Sequence, residues 1–185
     1  MALVHFPVIN KQGEIVTSSV TTLDVHDIAR ISRTYGVETF YVVTPLPAQQ
    51  ALVQRIMDHW LTGYGAEYNP SRREALGRVR MAPTLDAVQE AITRRTGRAP
   101  RTLVPDARRF ARSISYRRGR EILAEGGPFL LLFGTAWGLE PGLVERADWI
   151  LDPIEGMPDY NHLPVRAAVA IILDRLLAPR EAPGP

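Results

Sequence analysis

The residues in this chain best equipped for chemistry are arginines and loop glycines. Of its 22 basic residues, 21 are Arg and one is Lys11. Residues 72–120 hold 14 Arg against four acids (Glu74, Asp86, Glu90, Asp106), a local excess of +10 on a chain whose net charge is +2. A guanidinium fork matches phosphate geometry, so a basic middle on a near-neutral protein points to a polyanion. The same arginines also fit a genome's codon bias or a solvated helical face. Gly134 and Gly138 follow an apolar run over 129–133, and Gly156 follows a second over 149–154. Glycines at such points let backbone approach a ligand closely, and ligands of open α/β sheets bind at the carboxyl ends of strands. Ordinary turns use glycine in the same places. With no cysteine in the chain, disulfides and thiolate metal sites are excluded. His5, His26, His59 and His162 are scattered without ligand spacing, so no metal is expected.

Elements must position these residues. The pattern predicts a strand over 3–9, a turn at 10–13 and a hairpin return over 14–20. A helix follows over 24–35, capped by Thr22 and stopped at Gly36, and then a strand over 37–44. A helix over 48–61 leads into a loop over 63–73. Next come a strand at 79–82, a helix at 85–96 closed by Gly97, a strand at 102–104 and a basic helix over 113–125. Strands at 129–133 and 149–154 precede a helix over 163–177. The 129–133 run does not alternate, as befits a strand covered on both faces. Alternating strands and helices argue an α/β fold, a mostly parallel sheet between helices. One domain over 1–178 is expected, with 1–22 as a hairpin-like extension and 179–185 as a disordered tail. The last helix is apolar nearly all round, so its outer side needs cover, most economically from a second copy of the chain. The chain has no Gly-x-Gly-x-x-Gly after its first strand and no phosphate-loop Gly-Lys-Ser/Thr, which disfavours common dinucleotide enzymes and P-loop ATPases. It has neither a membrane-length apolar run nor a secretory leader, so a cytoplasmic protein is expected.

Four segments, in order, resemble the SPOUT superfamily of S-adenosylmethionine-dependent RNA methyltransferases. Asp24-Val-His-Asp-Ile-Ala-Arg30, with Tyr35-Gly-Val37 and the strand ending Thr44-Pro45, is similar to the SpoU-type first motif, in which an Asn-x-Gly-x-x-x-Arg helix precedes Phe-Gly-Val and Asn-Pro. Asp24 and His26 replace the usual Asn and Gly. Leu103-Val-Pro-Asp-Ala-Arg-Arg109 looks like an Ala-Thr-x-Ala-Arg-Arg loop. Phe133-Gly134 through Gly138-Leu139 resembles the cofactor loop, with Thr135-Ala136-Trp137 where an acid is usual. Tyr160-Asn-His-Leu-Pro-Val-Arg166 resembles the motif that opens the last helix.

The resemblance implies a deep C-terminal trefoil knot, a homodimer, and S-adenosylmethionine held by three loops at 104–106, 133–139 and 154–165. The residues so implicated are Val104, Pro105, Phe133, Gly134, Trp137, Gly138, Leu139, Ile154, Glu155, Gly156, Asn161, Leu163 and Val165. Leu163 and Val165 would line the adenine. Asn161 would hold a loop carbonyl or the cofactor carboxylate, or cap the helix. The substrate would be RNA, most plausibly tRNA. For a ribose 2′-hydroxyl the catalytic residue would be Arg30, a fixed donor rather than a base because it stays protonated. For guanine N1 it would be Asp159, with Asp106 second. Arg108, Arg109 and Arg112 would meet phosphates. The competing readings are a catalytically silent RNA-binding relative and a methyltransferase for a non-RNA substrate.

Overall fold

The computed structural model describes residues 1–157 and 160–179. Its centre is a wholly parallel seven-stranded sheet built from β1 (Ala2–Val4), β4 (Phe40–Val43), β5 (Val79–Ala82), β6 (Arg101–Pro105), β7 (Ser113–Ile114), β8 (Phe129–Gly134) and β9 (Trp149–Leu151), in the order β5-β4-β1-β8-β6-β9-β7. The only antiparallel strand pair among the described residues is the hairpin of β2 (Val8–Ile9) and β3 (Ile15–Val16), with Val8 opposite Val16; an isolated antiparallel bridge joins Val8 to Leu139. The expected strand over 3–9 is therefore two strands, one in each sheet.

Period-two alternation divides each strand between two cores. Leu3, Phe40, Val42, Leu103, Leu131, Phe133 and Leu151 face one side. There they meet α1 (Thr22–Thr34), α2 (Pro47–Leu61), α4 (Pro70–Leu76) and α8 (Val165–Leu177). Ala2, Val4, Tyr41, Val43, Val104, Leu130, Leu132 and Ile150 face the other, against α5 (Leu85–Thr96) and α7 (Pro141–Arg146). Both faces of the sheet are covered, which is why the 129–133 run has no polar member.

Local chemistry sets the remaining boundaries. Thr21, not Thr22, caps α1 by accepting from Asp24 N at 3.1 Å, and Gly36 at φ 70° ends it. The segment expected as loop over 63–73 is instead two short helices, α3 (Tyr64–Tyr68) and α4. Asn69 caps α4 through Arg72 N at 3.0 Å, and Pro70 stands at its first position, where a missing N–H costs nothing. The expected helix over 113–125 begins with edge strand β7, and Ser115 then caps α6 (Tyr116–Ala124). Helix α7 has no counterpart among the elements expected from sequence. Pro141 starts it, and the Glu140 carboxylate caps it through Gly142 N and Leu143 N at 2.7 and 2.9 Å. Of the expected tail, only Pro179 is among the described residues.

Candidate cofactor-binding site

Strands β8, β6 and β9 are neighbours, so the loops leaving their carboxyl ends converge above one edge of the sheet. Between these loops lies a cavity of about 820 Å³. The loop after β6 contributes Pro105, Asp106, Ala107 and Arg108; the loop after β8 contributes Gly134, Ala136, Trp137, Gly138 and Leu139. The loop after β9 adds Ile154 and residues 161–164, and the first turns of α8 add Val165, Ala168 and Ile172. Phe133 and Tyr116 complete the floor. A cavity of this size, lined mainly by apolar side chains with a few polar groups, suits a nucleoside-sized ligand.

The β8 loop is built to a tight tolerance. A Cβ on Gly134 would stand 2.7 Å from Leu139 N and 2.9 Å from Gly138 C, so no other residue fits without moving backbone. Ala136 at φ 54° and Gly138 at φ 110° fold the chain back on itself, and Gly138 N donates to Thr135 O at 3.0 Å. Trp137 is left 57% exposed at the cavity. Gly156 is different: nothing lies closer than 4.0 Å to a Cβ placed there.

Sequence reasoning missed the fourth wall, which is the β2–β3 hairpin. Ile9, Asn10, Lys11 and Gly13 line the cavity. Ile9 N donates to Gly138 O and Trp137 N to Ile9 O, both at 3.0 Å, and Val8 bridges Leu139. Behind this seam, His5 Nδ1 and Ser18 Oγ hydrogen-bond at 2.9 Å, Ser18 shares a hydrogen bond with Thr135, and Thr135 Oγ1 donates to Val4 O at 3.0 Å. Burial holds His5 well below the usual imidazole range, at about 4, against a smaller opposing pull from Asp24. His5 is therefore neutral, and its Nε2 is buried without a hydrogen-bond partner. The hairpin itself was expected from the turn at 10–13; its place against the β8 loop had no signal in the residue pattern.

The implicated residues divide by placement. Pro105, Phe133, Gly134, Trp137, Gly138, Leu139, Ile154, Asn161, Leu163 and Val165 all line the cavity. Val104 does not, because its side chain points into the core beneath β6 and is wholly buried. Asn161 Nδ2 donates to Ala107 O at 3.2 Å, tying the third loop to the first; Pro164 occupies the cap position of α8. Glu155 lies outside the lining and pairs with Arg109 at 2.6 Å, while Arg109 also pairs with Asp152 at 2.8 Å. Arg109 thus staples the same two loops, and those carboxylates, Glu155 first, hold its guanidinium firmly charged.

Arg108 grips the nearly buried Asp106 carboxylate through Nε and Nη2, both at 3.0 Å, but remains half-exposed at the mouth. Arg112 donates to the carbonyls of Val144, Glu145 and Ala147, closing the end of α7. Arg30 is exposed on α1, away from the cavity lining. Asp159 lies outside the described residues. Among the described residues no cluster of His, Asp and Glu is arranged to hold a metal ion.

The cavity fits the adenosyl-sulfonium cofactor that the resemblance implies. Leu139, Ile154, Leu163, Val165 and Ile172 offer apolar cover for a purine, Gly134 and Gly138 bring backbone to the surface, and Lys11 supplies a cation for a carboxylate.

Comparison with known proteins bears on this fit. Residues 1–178 match the model of a family described as SAM-dependent RNA methyltransferase. A protein of Aquifex aeolicus (strain VF5), described as uncharacterized, is 44% identical over 179 residues, covering 96% of this chain and 87% of its own length. A tRNA (guanine-N(1)-)-methyltransferase of Nitratidesulfovibrio vulgaris is 47% identical over 176 residues, covering 95% of this chain. The chain spans only 41% of that relative's length. The solved structure of a TrmH/SpoU tRNA modifying enzyme from A. aeolicus superposes with a TM-score of 0.54 at 16% identity, covering 96% of this chain and 73% of that one. At that identity the likeness concerns the fold.

Proposed function

This chain belongs to the family of SAM-dependent RNA methyltransferases, and we propose that it transfers a methyl group from S-adenosylmethionine to a nucleotide of tRNA. One observation carries the reading: the loops of three adjacent parallel strands enclose an apolar cavity of about 820 Å³ whose wall admits only glycine at position 134. When bound, the cofactor supplies an electrophilic methyl group; the protein must hold it, exclude water and bring the acceptor in line. Leu139, Ile154, Leu163, Val165 and Ile172 would cover the adenine, the backbone of residues 133–139 and of the described part of the third loop, 154–157 and 160–164, would read its edge, and Lys11 would meet the carboxylate. The name of the N. vulgaris relative supports tRNA, although that name describes a protein more than twice the length of the matching stretch.

Two groups serve two acceptors. Arg30 would stabilise the developing charge on a ribose 2′-oxygen, and Asp159 would take the proton from guanine N1. Arg30 is not among the residues that line its own cavity, so it would serve the cavity of a partner copy. The half-covered outer face of α8, including Ala167, Ala170 and Ile171, supports a homodimer. Arg108, half-exposed at the mouth, is the phosphate contact; Arg109 and Arg112 shape the loops around it. The strand order, with β6 between β8 and β9, supports threading of the final loop as a trefoil knot. No helix among the described residues is long and apolar enough to cross a membrane, and we assign the protein to the cytoplasm, where tRNA is modified.

Calorimetric titration with S-adenosylmethionine, followed by nucleoside mass spectrometry of unmodified tRNA incubated with protein and cofactor, tests this reading. A bound cofactor and a new methylated nucleoside are expected. 2′-O-methylation assigns the chemistry to Arg30, and 1-methylguanosine to Asp159. Cofactor binding without transfer to any RNA would leave a silent relative.

A further inference from the structure

Away from the cofactor cavity, α1, α2, α3 and α4 form a surface built around Trp60. His26 of α1 meets the Trp60 ring edge-on at 5.5 Å and His59 at 5.0 Å, and the Arg72 guanidinium lies 4.6 Å above it. Helix α3 is pressed onto this centre. A Cβ on Gly65 would be 2.7 Å from Trp60 Cε3 and 3.0 Å from His59 Nε2, so only glycine lets the helix come so close. That contact fixes the roll of α3 and turns Tyr64 and Tyr68, one helical turn apart, outward together. They are 73% and 74% exposed, and their rings stack at 5.8 Å with an interplanar angle of 21°.

Cations stand on the neighbouring helices α1, α2 and α4. Positions 26, 30 and 33 share one stripe of α1; His26 touches Trp60 and Arg33 pairs with Glu74 of α4 at 2.6 Å, so Arg30 projects between them. Burial first, and then Arg72, Arg30 and His59 among the neighbouring charges, hold His26 below its usual range, so these groups share one electrostatic field. Arg30, Arg55 and Arg73 are exposed and have no ion pair or side-chain hydrogen bond among the described residues. Arg72 Nε and His26 Nδ1 are buried without partners. By contrast, most arginines outside this surface are matched to a carboxylate or carbonyl within the chain. The exposed acid of α3, Glu67, is the one local group of opposite sign on that helix.

We propose that this surface is a binding platform for unpaired nucleotides of the RNA substrate, with Tyr64 and Tyr68 stacking bases and Arg55 and Arg73 holding the adjoining phosphates. The proposal rests on the RNA methyltransferase reading and names where that RNA is gripped. Exposed aromatic faces with unpaired cations are complementary to bases and phosphates at once. In a duplex the base faces are already stacked on one another, so unpaired segments are selected. Two rings 5.8 Å apart leave no room for a base between them, since each stacking contact needs about 3.5 Å. The base therefore adds to the outer face of the pair and lengthens the stack.

The test uses the full chain, fluorescently labelled unmodified tRNA, and an RNA oligonucleotide presented single-stranded and as a duplex. The double variant Tyr64→Ala/Tyr68→Ala is expected to lose about thirtyfold or more in affinity for tRNA and for the single strand. Its cofactor titration and circular dichroism should match wild type. Tyr64→Phe/Tyr68→Phe, which keeps the rings, should bind as wild type does. Arg55→Ala/Arg73→Ala should reduce the slope of log affinity against log salt by about 1.4. Undiminished RNA binding by the folded double-alanine variant overturns the platform while leaving the methyltransferase reading in place. A wild-type protein that binds cofactor but no RNA overturns both and would direct the same surface to a protein partner.

Discussion

Gly134 is the position with least tolerance. Adding one methyl group places a carbon 2.7 Å from Leu139 N, and the obstacle is backbone rather than a movable side-chain tip. Gly134→Ala should weaken cofactor binding at least tenfold and cost about 1–3 kcal/mol of stability, measured by calorimetry and chemical denaturation. Gly156→Ala, by comparison, meets open space and should change neither, which a parallel titration would check. His5 makes a prediction of a different kind. Its folded value of about 4 lies below the unfolded value near 6.5, so between these pH values the unfolded chain binds the extra proton. Stability is therefore full above pH 6.5 and falls as pH drops toward 4, by roughly 3 kcal/mol from this residue. The depressed His26 acts in the same direction. His5→Asn should flatten the acid limb of a plot of melting temperature against pH.

At the scale of elements, the three loops are not independent. Arg109 joins the first to the third through Asp152 and Glu155, Asn161 repeats the link through Ala107 O, and the hairpin is sewn to the second through Ile9. Each exposed ion pair adds little alone, but together they restrict where the loops can move. Arg109→Ala should therefore loosen the third loop more than it destabilises the fold. Hydrogen exchange should rise over residues 152–157 with the melting temperature nearly unchanged; protection equal to wild type there would show that the staple is idle. The helices α3 and α4 carry a related lesson. Glycine, asparagine and proline over 63–73 read as loop, yet Asn69-Pro70 is also a cap followed by a first-turn proline. Which reading applies depends on Trp60, against which the short helices pack and without which they are too brief to persist.

For the whole molecule, the outer face of the last helix bears on assembly. Helix α8 buries Val169, Ile172, Leu173 and Leu176 against the sheet, while Ile171 and Ala170 remain partly uncovered. Ile171→Glu should convert the proposed dimer to a monomer in sedimentation velocity and remove transfer activity if Arg30 serves its partner's cavity. A wild-type chain that sediments as a monomer would remove the proposed route from Arg30 to the reacting atom.

The sequence by itself determined the layering. The unalternating apolar run of β8 predicted a strand covered on both faces, and the glycines after it, together with the ordered motif resemblance, pointed to the loops that line the cavity. Those features are local, so they are written in contiguous residues. Only the tertiary structure decided which side chains those loops present. Val104 turned into the core, and Arg109 and Arg112 were consumed by carboxylates and carbonyls more than thirty residues away in sequence. A hairpin near the amino terminus became the fourth wall of a cavity formed mainly by residues beyond position 100. Such pairings are settled by strand order and by the direction each loop leaves the sheet, and neither is encoded in the spacing of residues along the chain.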